Sequence, residues 1–290
     1  MKCKVSEMEE GGNGELSIDT LNLNALPQDC IATIISFTSP RDACRLSIVS
    51  TIFKLAAESD AVWESFLPSQ YQALIPSSLS FSSKKELYLS LCENPVLIEG
   101  GRKSFWLEKV SGKKCYMLSP KDLYIEWVNT PTYWRWVSIP EARFEEVSEL
   151  LSVCWFEIRG KISISRLSPM TLYKAYLVFK AYLVYKVRNV YGFEFYPVKL
   201  SVGVVGTEGS KRAAYLEPER DRIPIDLQPT PNDVQFPKAR VDGWLEVEMG
   251  EFFNEGCMNA GELEMSALEI EGGNWKGGLI FQGIEIRAIA

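Results

Sequence analysis

The side chains that most often carry chemistry are unevenly supplied in this chain. Its 290 residues include no histidine, which removes Ser-His-Asp and Cys-His nucleophiles, imidazole acid–base catalysis and imidazole metal sites together. The cysteines, at positions 3, 30, 44, 92, 115, 154 and 257, are scattered and never spaced C-x-x-C. They read as free thiols in a reducing compartment, and neither a metal nor a cofactor is expected. Carboxylates remain, and a pair of them can cleave a glycosidic bond. No activated nucleophile is visible beside them, so the chain reads as a binding protein and not an enzyme. No cluster of basic residues appears, pairs such as Lys113-Lys114 and Lys211-Arg212 being isolated, in a chain of net charge -7, which argues against a nucleic-acid partner.

The elements that must position these groups change character along the chain, and the length favours two domains. Residues 1–20 are polar, with Gly11-Gly12-Asn13-Gly14, and read as a flexible tail. The first residues carry Glu7, Glu9 and Glu10 instead of a basic-then-apolar signal. No apolar run reaches the roughly 18 residues a membrane span needs. Together these features point to a soluble, intracellular protein of the cytoplasm or nucleus with no membrane partner.

Residues 21–67 have helical spacing punctuated by caps. Pro27 suits a first helical position and Asp29 the first turn, where the helix dipole favours an acid. Ile31, Ile34 and Ile35 then form an apolar stripe. Ser39 and Ser50 are placed to cap a second and third helix, and Asp60 a fourth bearing Trp63 and Phe66. Four short helices in about 45 residues cannot enclose much of a core alone, so their surplus apolar surface wants a partner. Residues 68–100 read as a connector with one helix over 84–92, ended by Pro95.

From about residue 105 the pattern is β-rich. Strands are expected over 155–158, 172–186, 199–205, 244–249, 262–270 and 279–289, with a helix over 141–151 as the exception. So many short strands suggest a two-sheet sandwich. Residues 175–180 and 181–186 are near-identical copies of six residues. Six is even, so either copy offers the same face to a sheet, and one copy is expected in the core register.

Two resemblances can be stated on these residues. Leu26-Pro27-Gln28-Asp29-Cys30-Ile31, with Ser39-Pro40-Arg41-Asp42, Val49-Ser50 and Trp63, resembles the F-box motif over 21–67. That resemblance implies docking on a Skp-type adaptor, and through it on a cullin–RING ubiquitin ligase, by Leu26, Pro27, Ile31, Ile34, Ala43, Cys44, Val49, Phe53 and Trp63. Residues 101–290 resemble the phloem protein 2 lectins, including the tobacco lectin that binds N-acetylglucosamine oligomers. The matching stretches are 122–127, 131–136, 154–161, 242–246, 250–253 and 261–265. The fold implied is multidomain: a small all-α F-box module followed by an all-β, jelly-roll-like lectin sandwich. The function implied is that of a substrate receptor in a plant ubiquitin ligase, selecting client proteins, with glycoproteins carrying N-acetylglucosamine among them. The alternative is a stress-related lectin-like scaffold that has lost sugar binding and reads a protein surface.

By the same resemblance, sugar binding falls on Trp127, Trp134, Glu262 and Glu269. A pyranose offers an apolar C–H face to an aromatic plane, and carboxylates accept hydrogen bonds from its hydroxyls. Two glutamates seven residues apart lie on opposite faces of a regular strand. The alternation of Leu263, Met265 and Ala267 switches phase to Leu268 and Ile270, so a β-bulge near 267–268 is expected to reunite the glutamates on one face. Trp155 and Trp244 read as core residues.

Overall fold

A computed structural model describes residues 26–75, 80–181, 183–184, 187–218, 223, 234–256 and 261–289. The tail expected over 1–20 lies outside the described residues. Caps start the helices where the spacing places them. α1 (Gln28–Ser36) follows Pro27; α2 (Pro40–Leu46) is capped by Ser39, which accepts from Asp42 N at 3.1 Å, and α3 (Thr51–Ala57) by Ser50, which accepts from Phe53 N at 3.4 Å. α4 (Asp60–Phe66) differs from expectation, because Ser59 is its cap residue and the Asp60 carboxylate accepts instead from Lys84 N, 2.8 Å away. That bond ties α4 to the start of α6 (Lys84–Glu93), itself capped by Ser83. A short α5 (Tyr71–Leu74) lies between them. Among the described residues no helix is long and apolar enough to cross a membrane.

The remainder is a β-sandwich of two antiparallel sheets. The larger runs β1 (Val96–Ile98), β2 (Lys103–Leu107), β3 (Lys114–Leu118), β16 (Leu279–Ala288), β8 (Thr171–Ala181), β14 (Leu245–Asn254) and β13 (Lys238–Ala239). β6 (Val147–Leu150) pairs with the stretch of β16 that β3 leaves free, and β5 (Trp134–Val137) pairs with β6. The smaller sheet runs β12 (Ser210–Ala214), β11 (Val198–Val204), β15 (Glu262–Glu269), β7 (Phe156–Ser163) and β4 (Tyr124–Ile125). β9 (Leu183–Val184) and β10 (Val187–Arg188) form a separate pair. The first copy of the hexapeptide repeat lies in β8, hydrogen-bonded on both edges, and the chain then leaves the sheet within the second copy. Tyr182, Tyr185 and Lys186 lie outside the described residues.

Alternating side chains of β7 and β15 meet those of β8 and β16 between the sheets, where Phe156, Phe179 and Phe281 pack with ring centroids 5.5–5.9 Å apart. The helix expected over 141–151 is absent; its last residues are β6. The reason is that β6 is buried on both faces, so the alternation that marks a strand is missing from its sequence. β6 closes over a second core of Met117, Phe144, Val147, Val178, Trp244 and Ile280 on the outside of the larger sheet. Trp244 is core, as expected.

The helical module shares one core with the sandwich. Trp63 is buried against Tyr88 of α6, with ring centroids 5.2 Å apart, and its Nε1–H donates to Ala57 O at 2.7 Å. The Tyr88 hydroxyl lies between the carbonyls of Glu108 and Lys109, at 3.2 and 3.1 Å, in the turn joining β2 and β3. Arg41 N of α2 donates to Val110 O in the same turn.

Bulges do bend the larger sheet, at Glu248/Gly250 of β14 and Phe281/Gly283 of β16. Gly283 has φ +140°, and a Cβ there would lie 1.9 Å from Leu118 O. Gly283→Ala is therefore expected to cost at least about 3 kcal/mol. Urea denaturation checks this, and a loss below about 1 kcal/mol would show that the bulge is not held by its glycine.

Candidate functional site

Two surfaces carry side chains that the core does not use. The first lies on α1 and the α2–α3 turn. Ile31, Ala43, Phe53 and Trp63 are buried within the helical module, and Leu26 is partly covered. These five support the surface from below. Pro27, Ile34, Cys44 and Val49 are exposed, Val49 by 62%. The most exposed apolar residues of this region are two that spacing did not select, Phe37 at 84% and Ile48 at 86%. Both sit at turns, one ending α1 and one following α2. A large apolar residue where turn chemistry prefers a polar one was the available signal.

The second surface is one rim of the sandwich. β4 ends at Ile125, and Glu126 N still donates to Glu157 O at 3.1 Å before the chain turns at Trp127. Trp127 takes φ +58°, a left-handed conformation unusual for a side chain of its size. Its ring, 38% exposed, is 5.4 Å from the Tyr133 ring. Tyr133 is in turn 6.2 Å from Trp275, which is 53% exposed. Sequence reasoning missed Tyr133 and Trp275. Trp275 stands in the glycine-rich loop 272–278, where an aromatic residue has few neighbours to pack against.

Of the four residues assigned by resemblance, Trp127 alone stands on this surface. Trp134 is only 3% exposed, packs 6.0 Å from Phe281, and donates its Nε1–H to Glu126 O at 3.0 Å. It positions the residue before Trp127 and has no face for a sugar. The expected bulge at 267–268 is absent, because β15 keeps continuous register with both β7 and β11 through Ala267 and Leu268. Glu262 and Glu269 therefore stay on opposite faces, about 23 Å apart along the strand. Glu262 is exposed beside Lys161, whereas Glu269 is buried in an ion pair with Lys276. The Lys276 Nζ also donates to Cys154 O at 3.0 Å and Asn274 O at 2.7 Å, and Glu269 accepts from Gly272 N at 2.9 Å. This buried pair fastens both ends of the loop that presents Trp275. Trp155, expected in the core, is instead exposed, and its Nε1–H donates to Glu157 at 3.0 Å.

The described cysteines are all unpaired thiols. Burial pushes Cys115 up to about 12 and Cys92 up to about 11, so neither is a nucleophile near neutral pH.

Comparison with known proteins matches residues 113–288 to the phloem protein 2 family and residues 23–65 to the F-box domain. The Arabidopsis thaliana putative F-box protein PP2-B2 is 52% identical over 97% of this chain and 87% of its own length. The Arabidopsis F-box protein PP2-B10 is 51% identical over 91% of this chain and 93% of its own. Among solved structures, the CBM22-1 xylan-binding domain of Paenibacillus barcinonensis Xyn10C gives a TM-score of 0.25 at 9% identity, covering 59% of this chain and 88% of that one. That likeness is too slight to bear on function.

The Glu269–Lys276 pair gives a direct check on this geometry. Lys276→Met strands a buried carboxylate and is expected to cost about 3–5 kcal/mol, while pairing it with Glu269→Leu recovers most of the loss. Chemical denaturation of the single and the double variant tests this; a Lys276→Met protein as stable as the parent would remove the pair from the account.

Proposed function

The chain belongs to the plant F-box proteins that carry a phloem protein 2 domain, and from that premise we propose that it is a substrate-receptor subunit of a cullin–RING ubiquitin ligase. In this reading residues 21–67 dock on a Skp-type adaptor, 68–100 fix the connection, and 101–290 select the client. The observation that carries it is the exposed apolar surface of Ile34, Phe37, Ile48 and Val49, on a module whose inward stripe is already satisfied. Burying such side chains in a partner is worth about 1.5–3 kcal/mol each, and large apolar groups near the centre of an interface dominate its energy. The protein supplies position, and partner subunits supply the transfer chemistry, in the cytoplasm or nucleus where such ligases work.

The sandwich selects clients, glycoproteins with N-acetylglucosamine among them, through the rim at Trp127. Of Trp127, Trp134, Glu262 and Glu269, Trp127 is the one that offers an accessible ring, with Tyr133 and Trp275 extending the platform. Trp134 and Glu269 act through the loops they hold. A single millimolar sugar contact is worth only about -4 kcal/mol, so selection rests on several sugars or on added protein contacts. A rim of exposed aromatics also suits a protein surface, and that is the second reading.

Ile48→Asp is expected to weaken adaptor binding at least about a hundredfold, because it buries a charge at the interface, while far-ultraviolet circular dichroism stays unchanged. Calorimetric titration with a recombinant Skp-type adaptor measures this; full-strength binding by the variant would remove this surface from the interface. Titration of the full chain with N-acetylglucosamine oligomers should give saturable binding that Trp127→Ala weakens about tenfold or more. A folded protein that binds no oligomer would shift the reading to a protein-recognising receptor.

A further inference from the structure

The outward face of the smaller sheet is open along β4, β7 and β15. A cleft of ≈ 530 Å³ there is lined by Asp122, Tyr124, Glu157, Arg159, Lys161 and Glu264. Strand alternation creates it, since Phe156, Ile158 and Ile162 of β7 enter the core while Glu157, Arg159 and Lys161 face out.

The charges of this cleft are matched in place. Arg159 lies 2.6 Å from Glu157 and 3.3 Å from Glu264; Lys161 lies 3.3 Å from Glu264, and Lys103 holds Asp122 at 3.0 Å. At the margins Arg102 reaches Asp122 at 3.5 Å and Glu262 reaches Lys161 at 3.8 Å, adding one charge of each sign. The cleft thus presents many directional donors and acceptors, with each charged lining residue already paired. An ionic ligand would have to break internal pairs to be compensated. A neutral polyol does not, because its hydroxyls donate to carboxylates and accept from guanidinium and ammonium groups as they stand.

Two exposed aromatic rings border the network, and each is oriented by its polar edge. The Tyr124 hydroxyl donates to Glu126, and the Trp155 Nε1–H donates to Glu157 at 3.0 Å. Their flat faces remain available to the C–H side of a sugar ring. Burial alone would raise Glu157, but hydrogen bonds from Trp155 and Arg159 outweigh it and hold the carboxyl below its ordinary range, so Glu157 stays ionised near neutral pH. The chain passes from β4 through Glu126 to Trp127, so Tyr124 of the cleft and Trp127 of the rim are joined by two residues.

We propose that the outer face of the smaller sheet is an extended subsite for a neutral oligosaccharide, engaged by Tyr124, Trp155, Arg159 and Glu264 and continuing from the Trp127 rim. The inference rests on the glycan-binding reading of the sandwich, and goes beyond it by naming a second contact region and the charge class of its ligand. The test is calorimetric titration of the full chain with the dimer and the hexamer of β-1,4-linked N-acetylglucosamine. The hexamer is expected to bind about tenfold or more tightly than the dimer, through simultaneous contacts. Tyr124→Ala and Arg159→Gln should each remove most of that chain-length gain and leave dimer binding unchanged, which a general loss of structure would not do. Hexamer affinity should change less than about threefold from 0.05 to 0.5 M salt. A gain that survives both substitutions, no gain at all, or a gain that collapses in salt overturns the inference while dimer binding through Trp127 still stands. Silence of both oligomers on the folded chain overturns it together with the glycan reading.

Discussion

The contact between Trp63 of α4 and Tyr88 of α6 is the one on which the rest of the molecule depends. Four helices of nine residues or fewer cannot cover their own apolar stripes. α6 supplies the missing wall, and the β2–β3 turn then receives the Tyr88 hydroxyl. The core consequently runs without a break from Ile31 and Ile35 through Trp63 and Leu91 to Phe105 and the sandwich interior. Because the inward stripe is satisfied within the chain, the apolar side chains left on α1 and the α2–α3 turn are surplus to folding and available for a partner. The same contact fixes the direction in which the sandwich faces relative to that surface. In the receptor role proposed for this chain, that direction would separate a merely tethered client from one held in reach of the transfer machinery.

A similar economy shapes the rim. The buried Glu269–Lys276 pair and the indole of Trp134 touch nothing outside the protein. One closes the loop under Trp275, and the other holds the carbonyl before Trp127. A buried ion pair contributes little net stability when well made and costs several kcal/mol when one member is removed. Its value here is conformational, since it leaves the 272–276 loop few alternatives. Strained backbone at Trp127 fits the same picture, because a left-handed tryptophan persists only where its surroundings over-determine it.

Much of this fold was legible in the sequence because it is locally encoded. Ser39 and Ser50 announce helix starts by side-chain chemistry that needs no tertiary context, and the half-buried strand β7 alternates as its two-residue period requires. What was not legible depends on depth. β6 is covered on both faces, so its apolar spacing mimics a helix. The phase switch after Ala267 imitates a bulge, but Leu268 simply faces outward on an unbroken ladder. In the candidate sites, spacing and motif found the right loops and helices, yet could not separate residues that present a surface from those that support it. Trp134 beside Tyr133, and Ile35 beside Phe37, differ by a few residues in sequence and by the whole thickness of the fold in role.

The central claim is that the helical module meets the adaptor through α1 and the α2–α3 turn while the sandwich stays free for the client. Hydrogen–deuterium exchange of the full chain, with and without a saturating Skp-type adaptor, tests it most directly. The account predicts slowed exchange across residues 31–37 and 44–53 and no change across 124–163 or 272–276. A footprint on the sandwich rim, or none on a chain that remains folded, would contradict it.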